Sequence, residues 1–253
     1  MEASGGVAVL GKAIALLDAI AEAGAATPAQ LAERTGEPRS TVYRLLSSLQ
    51  ALELVEPGPR RGSVVLGLKL FRLGTAVVSR FDEREAALPV MERLHDTLGE
   101  TTFLCVRRDY RAVCIERLDG TRVNLLALSL GGSLPLHAGG ASRALLAFEP
   151  ESFWEEYLEN APLDALTDRT PAARSALLEE LRATRERGYA ISDEDVTPGV
   201  AAVGAPIFDH TGAVRASLSA GGMREHLFAH REEAIALVRE CAAQISRSLG
   251  HTG

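Results

Sequence analysis

Residues 27–56, TPAQLAERTGEPRSTVYRLLSSLQALELVE, carry two amphipathic helical patterns on either side of the turn Thr35-Gly36-Glu37. Thr27 can cap the first pattern and Pro28 suits its first turn, with Leu31 and Ala32 facing inward. The second pattern starts just after Pro38. Within it Val42, Leu45, Leu46, Leu49 and Leu52 recur at helical spacing, which predicts one buried stripe. The remaining surface holds Arg39, Ser40, Thr41, Tyr43, Arg44, Ser47 and Ser48: two guanidiniums, several hydroxyls, one aromatic ring and no acid. This is helix-turn-helix geometry. A second helix whose N-terminal residues reach base edges in the major groove of double-stranded DNA needs a face of this kind.

Any helical hairpin needs a polar outer face, so the residues that follow carry weight. Pro57-Gly58-Pro59-Arg60-Arg61-Gly62 is a turn with two arginines, and Ser63-Val64-Val65-Leu66 is a short β-rich run. A hairpin bearing Arg60 and Arg61 directly after a recognition helix is a wing, whose cations lie against phosphates or in the minor groove. The expected DNA face is therefore Arg39, Ser40, Thr41, Tyr43 and Arg44, with Arg60 and Arg61 beside it.

Upstream, residues 9–23 read as a helix with Leu10, Ala13, Ile14, Leu17 and Ile20 as its buried stripe and Gly24 as its stop. Downstream, residues 67–81 repeat an apolar pattern without turn residues. They read as a helix joining two domains, a position that also serves dimerisation, or alternatively as a core helix of the first domain. The expected organisation is a winged helix-turn-helix over residues 1–66, a linker helix over 67–81 and a second domain over 82–253.

The 253 residues carry a net charge of −7, which at first argues against nucleic acid. Its distribution reverses that. Residues 1–80 hold nine Lys and Arg against seven acids, and the remainder holds 18 against 27. A slightly basic N-terminal part joined to an acidic C-terminal part suits a protein that touches DNA at one end. So few phosphates are neutralised by one copy that tight binding calls for a homodimer or a dimer of dimers. Lys12 and Asp18 interrupt the first apolar stretch, so neither export nor membrane insertion is indicated and a cytoplasmic location is expected. Three cysteines without paired spacing fit a reducing compartment.

From Asp82 the pattern changes. An amphipathic helix over 82–98 precedes β-rich runs at 101–107, 112–118 and 123–130, then helices at 140–148, 151–158, 172–187 and 231–249, with strands at 189–192, 200–208 and 214–220. The fold class is α+β with an antiparallel sheet, a layout able to enclose a small-molecule cavity. No glycine-rich nucleotide loop, G-x-S-x-G elbow or C-x-x-C appears, so no catalytic residue and no cofactor is expected. Cys105, Cys114 and Cys241 fall in apolar runs, where cysteine behaves as a small hydrophobe. His226 and His230, four apart, are the least implausible metal pair, and no metal is expected. His137 reads as a structural histidine near a cavity mouth, and Asp193-Glu194-Asp195 as a solvated acidic turn.

Three stretches together resemble the IclR family of transcription regulators: Arg39-Ser40-Thr41-Val42-Tyr43-Arg44-Leu45-Leu46; Leu134-Pro135-Leu136-His137-Ala138 leading into Gly140-Ala141-Ser142-Arg143-Ala144-Leu145-Leu146-Ala147; and Gly188-Tyr189-Ala190-Ile191-Ser192 through Ala205-Pro206-Ile207-Phe208-Asp209. The resemblance implies a winged helix-turn-helix followed by a GAF-like effector-binding domain. It implies that the backbone at Gly140 and Ala141 contacts an effector carboxylate, which suits the unpaired amides at a helix start. A tight turn is the competing role for Gly140. The side-chain positions it implies are Ser192, Ala202, Ser219 and Gly221, where an acid, a cysteine and two serines are more typical of the family's carboxylate binders. That departure points to an acid with a larger or more apolar body, such as an aromatic one. Asp195 stands where the family motif usually has glutamate.

The expected function is a ligand-responsive transcription regulator, with repression as the expected sign, binding a near-palindromic operator and modulated by a small organic acid. The alternative is a small-molecule binding or hydrolytic protein that uses the helix-turn-helix only as an interaction module.

Overall fold

A computed structural model describes residues 2–78, 82–121 and 127–252, with side chains described from residue 7 onward except over 75–78. The chain divides into two compact units, Met1–Arg80 and Phe81–Gly253.

The first unit contains α1 (Glu2–Ala23), α2 (Pro28–Thr35), α3 (Arg39–Ala51), β1 (Val55–Pro57), β2 (Val64–Leu66) and α4 (Leu68–Val78). Thr27 caps α2 in a capping box with Gln30, and Pro28 occupies its first turn. Gly36 ends it in the left-handed conformation, at φ 70°, which only glycine adopts without steric cost, and this lets the chain turn into α3. Leu16, Ile20, Leu31, Val42, Leu45, Leu46 and Leu49 form the core, closed by Val55 and Val64 of the β1–β2 hairpin.

Two expected stripes shift. In α1 the buried row is Leu16, Ala19 and Ile20, with Ala13 and Leu17 partly covered, whereas Leu10 and Ile14 stay exposed because only the C-terminal half of α1 meets the other helices. Leu52 is also exposed. It caps α3, and the chain leaves helical geometry at Glu53, whose φ is 58°, so the last position of the stripe turns outward. Of the expected helix over 67–81, Leu68–Val78 is helical and residues 79–81 lie outside the described residues.

The second unit begins with α5 (Asp82–Leu98), followed by β3 (Thr101–Arg108), β4 (Arg111–Leu118), β5 (Ser133–Pro135), α6 (Gly140–Phe148), α7 (Glu151–Asn160), α8 (Arg174–Arg187), β6 (Ala190–Asp193), β7 (Val200–Phe208), β8 (Val214–Met223), α9 (Arg224–Ala229) and α10 (Arg231–Ser248). The strands form one sheet in the order β5-β4-β3-β8-β7-β6, and every paired neighbour is antiparallel. Successive side chains alternate faces, so each strand feeds two apolar layers. Leu104, Val203 and Leu218 meet Met91 of α5 and Val238 of α10 on one face, while Phe103, Cys105 and Cys114 meet Leu145 of α6, Tyr157 of α7 and Leu181 of α8 on the other. Burial on both faces explains why these strands read as near-continuous apolar runs.

Of the strand expected over 123–130, residues 123–126 lie outside the described residues and 127–130 form a bend and a turn. Among the described residues the edge strand beside β4 is β5, whose three residues are too few to show a period and include a proline. The short α9 was also not anticipated. The acidic trio is not a solvated turn: Asp193 is paired with Arg224 and Arg169, Glu194 with Arg169, and Asp195 is buried.

Candidate DNA-recognition face and effector cavity

On α3 the side chains of Arg39, Ser40, Tyr43 and Arg44 are exposed and Thr41 is half-buried. Tyr43 shows 60% of its surface to solvent, unusual for an aromatic ring and suited to stacking or sugar contact. Lys12 and Arg34, elsewhere in this unit, are engaged by Glu37 and Glu22. Arg39 and Arg44, by contrast, meet no acid among the described residues, and the same holds for Arg60 and Arg61 in the wing turn. That turn is held by Ser63, whose hydroxyl donates to the Arg60 carbonyl at 2.7 Å and accepts the Arg60 amide at 3.2 Å. The two wing guanidiniums are therefore presented on an ordered loop, with their charge uncompensated within the described residues.

In the second unit, α6 starts directly over β7. A Cβ on Gly204 would stand 2.3 Å from the Gly140 carbonyl oxygen, and one on Gly140 only 3.2 Å from the Gly204 amide nitrogen. The two glycines let the helix start touch the strand, so Gly140 has a packing role as well as a first-turn amide. All six expected effector positions, Gly140, Ala141, Ser192, Ala202, Ser219 and Gly221, line one cavity there, with Phe103, Leu128, Leu134, Val196 and Val200 as its apolar walls. The amides of Gly140 and Ala141 belong to the first turn, which lacks intrahelical acceptors, and point beyond the helix end. Ser142, also in this wall, is fully buried, and its hydroxyl has no hydrogen-bond partner among the described residues. The cavity measures about 60 Å³.

Two residues that hold this site were not singled out as site residues. Asp195 accepts the Gly139 amide at 3.1 Å, the Ser192 hydroxyl and the Arg143 guanidinium. Arg143, itself buried, also donates to the Ile191 carbonyl. The trace in the sequence was an arginine within the apolar helix Gly140–Phe148, whose other residues up to Ala147 are all buried; such a charge needs a buried partner. The partner lies 52 residues away, and the sequence does not name it.

His137 is buried and fully bonded. Its Nδ1 accepts from the Tyr157 hydroxyl at 2.7 Å and its Nε2–H donates to the Asp164 carbonyl at 2.9 Å, while burial holds its pKa below the ordinary histidine value. The same burial pushes the Tyr157 hydroxyl up to about 12. Cys105, Cys114 and Cys241 are buried. His226 lies tilted against His230 with ring centroids 5.5 Å apart but is bonded to Glu100, and no cluster of three metal-ligating groups occurs among the described residues.

A winged helix-turn-helix and a separate small-molecule cavity define a DNA-binding regulator. Residues 9–59 match the IclR helix-turn-helix domain, and residues 75–247 match the bacterial transcriptional regulator IclR C-terminal domain. The chain belongs to the IclR family of transcriptional regulators. It is 32% identical to the HTH-type transcriptional regulator KipR of Bacillus subtilis, over 95% of this chain and 96% of that protein. It is also 32% identical to the HTH-type transcriptional repressor AllR of Escherichia coli, over 97% of this chain and 91% of that one. An IclR homolog from Microbacterium hydrocarbonoxydans, crystallised with 4-hydroxybenzoate, superposes with a TM-score of 0.80 at 27% identity, covering 95% and 98% of the two chains. These relatives are regulators rather than enzymes, which removes the hydrolytic alternative. No helix among the described residues is long and apolar enough to cross a membrane.

Proposed function

We propose that this regulator is a repressor that binds a near-palindromic operator as a homodimer or dimer of dimers in the cytoplasm, and that a small organic acid in the α6 cavity changes its hold on DNA. The observation that carries the proposal is the pair of uncompensated cationic elements on one unit, Arg39 and Arg44 on α3 and Arg60 and Arg61 on the wing, together with a cavity opened at a helix N-terminus on the other. Repression is supported by the likeness to AllR, and an organic acid by the 4-hydroxybenzoate bound to the Microbacterium homolog. Self-association is supported by apolar side chains left exposed on the first unit: Leu10 at 67%, Ile14 at 56% and Leu68 at 72%. Two copies related by a two-fold axis would place their recognition helices in successive major grooves roughly 34 Å apart.

The acid acts only if it binds two quaternary arrangements with different affinity, since equal affinity shifts no equilibrium. The test is fluorescence anisotropy of the purified protein with DNA from upstream of its own gene and its neighbours, at fixed salt, with and without a panel of carboxylic acids. Specific binding released by one acid is the expected result. Binding strengthened by the acid would overturn repression by the free protein, and no binding to any fragment would overturn the operator assignment.

A further inference from the structure

Cys105 of β3 and Cys114 of β4 stand directly opposite each other in the ladder, and both are buried. The Cys114 amide donates to the Gly132 carbonyl at 2.9 Å and its carbonyl accepts the Gly131 amide at 2.8 Å, so its backbone groups are turned away from β3. The pair is therefore of the non-hydrogen-bonded kind, in which opposed Cα atoms lie about 4.5 Å apart and side chains come closest. That separation falls within the range of about 4.4–6.8 Å that a disulfide spans. The β3–β4 register also shifts between Leu104 and Cys105, so the ladder is interrupted just where the sulfurs would close.

The two thiols are not equivalent. Cys114 donates to the Glu116 carbonyl at 3.2 Å, which leaves its sulfur to accept the Cys105 thiol. That bond from Cys105 holds the Cys114 thiol below the ordinary cysteine value against the opposing effect of burial, and Arg117 acts in the same direction. The same bond, with burial, pushes Cys105 up. Cys114 is thus the nucleophile of the pair and Cys105 its resolving thiol.

A third polar group stands beside them. Paired residues of adjacent strands share a face, so Ser217 of β8, opposite Cys105 on its other side, joins the same row. Its hydroxyl is fully buried and has no hydrogen-bond partner among the described residues. An uncommitted hydroxyl next to two thiols is a seat for a small polar reactant. Cys241, by contrast, lies in the opposite apolar layer.

We infer that Cys105 and Cys114 form a redox site: hydrogen peroxide, seated on Ser217, joins them in a disulfide, and the bond moves the Phe103 wall of the α6 cavity. The Cys114 sulfur attacks one peroxide oxygen and the O–O bond breaks, giving a sulfenic acid and water. The Cys105 sulfur then attacks the sulfenic sulfur, the S–O bond breaks, and a second water leaves with the Cys105 proton. Two thiols lose two electrons to one peroxide. Closing the bond draws the sulfurs from contact to about 2.05 Å, so β3 shifts with Cys105. Phe103, two positions along on the same face, lines the cavity and moves with it. In a reducing compartment such a bond is transient, as a signal requires. Its formation does not depend on what the cavity binds.

The test treats full-length, reduced protein with hydrogen peroxide in the absence of denaturant, then alkylates the remaining thiols before digestion. The intact mass falls by two hydrogens, a linked Cys105–Cys114 peptide appears, Cys241 stays open to alkylation after unfolding, and dithiothreitol reverses the change. Cys105→Ser stops at a Cys114 sulfenic acid that dimedone labels. Ser217→Ala slows disulfide formation by about tenfold, the factor carried by one hydrogen bond. Hydrogen exchange at the start of α6 differs by at least about threefold between the oxidised and reduced proteins. Because Cys105→Ser also alters the core, the wild-type linkage and exchange decide the matter. Absence of the linked peptide overturns the inference. So does equal speed with oxidised glutathione, which is too bulky to reach the pair without unfolding. An unchanged rate in Ser217→Ala overturns the peroxide seat, and identical exchange in the two forms overturns the link to the cavity.

Discussion

Asp195 accepts the backbone amide of Gly139 at 3.1 Å, tying the residue before α6 to the loop that follows β6. The same carboxylate takes Arg143 from one turn further along the helix, so the start of α6 is held at two points by one buried group. Removing one partner of a buried ion pair leaves the other uncompensated, which costs about 3–5 kcal/mol. Asp195→Ala is therefore expected to lose stability of that order in denaturant unfolding and to lose acid binding. A loss below about 1 kcal/mol would show that Arg143 finds another partner, with Glu180 the nearest alternative at 3.8 Å.

The glycine pair beneath α6 makes a second prediction. Gly204→Ala puts a methyl group 2.3 Å from the Gly140 carbonyl oxygen, and the helix start has to move off β7. Overpacking of this kind costs about 1–3 kcal/mol. Melting temperature should fall, and acid affinity should fall further than in a variant of equal stability altered in the α10 layer.

At the DNA face, Arg44→Ala is expected to weaken operator binding by roughly 1–3 kcal/mol and to relax preference at a single base pair, if the guanidinium reads a base edge. Arg61→Ala should weaken all sequences alike and lower the salt dependence of binding by about one counterion. Anisotropy titrations over a salt series with operator and scrambled duplexes separate the two. Uniform weakening in Arg44→Ala would reassign it to phosphate.

His137 makes stability depend on pH in a defined direction. Its folded pKa lies below the ordinary value because burial disfavours the imidazolium, so on acidification the unfolded chain takes up a proton first. The stability contributed by the neutral, bonded ring is present above pH of about 6.5 and is lost as pH falls from there toward the lowered folded value. Wild type should therefore lose melting temperature between pH 7.5 and 5 more steeply than His137→Asn, although the variant is less stable at pH 7.5. Parallel slopes would place the titration elsewhere.

The exposed apolar side chains of the first unit give a prediction about assembly. Leu10→Lys combined with Ile14→Lys should leave the fold of the unit intact, since both side chains are exposed, yet lower the sedimentation mass and operator affinity together. An unchanged mass would move the self-association surface away from α1.

The sequence by itself determined the elements with a strong period or an unambiguous punctuation. Pro28 and Gly36 bound α2, the stripe from Val42 to Leu49 defines the inner face of α3, and the arginine-bearing turn between two β-rich runs marks the wing; these depend on interactions among near neighbours in the chain. The resemblance carried by Gly140-Ala141 and Ser192 likewise singled out positions that the fold brings to one cavity. Tertiary structure alone decided which way α1 rotates, because Leu10 and Leu16 belong to equally apolar faces and only the reach of the neighbouring helices distinguishes them. It alone decided that Asp195 is a buried clamp rather than one of three solvated acids, and that Gly140 serves packing as well as lining the cavity. Each of these depends on a partner separated by tens of residues, such as Arg143 for Asp195 or Gly204 for Gly140, and local periodicity carries no information about which distant group the sheet will bring alongside.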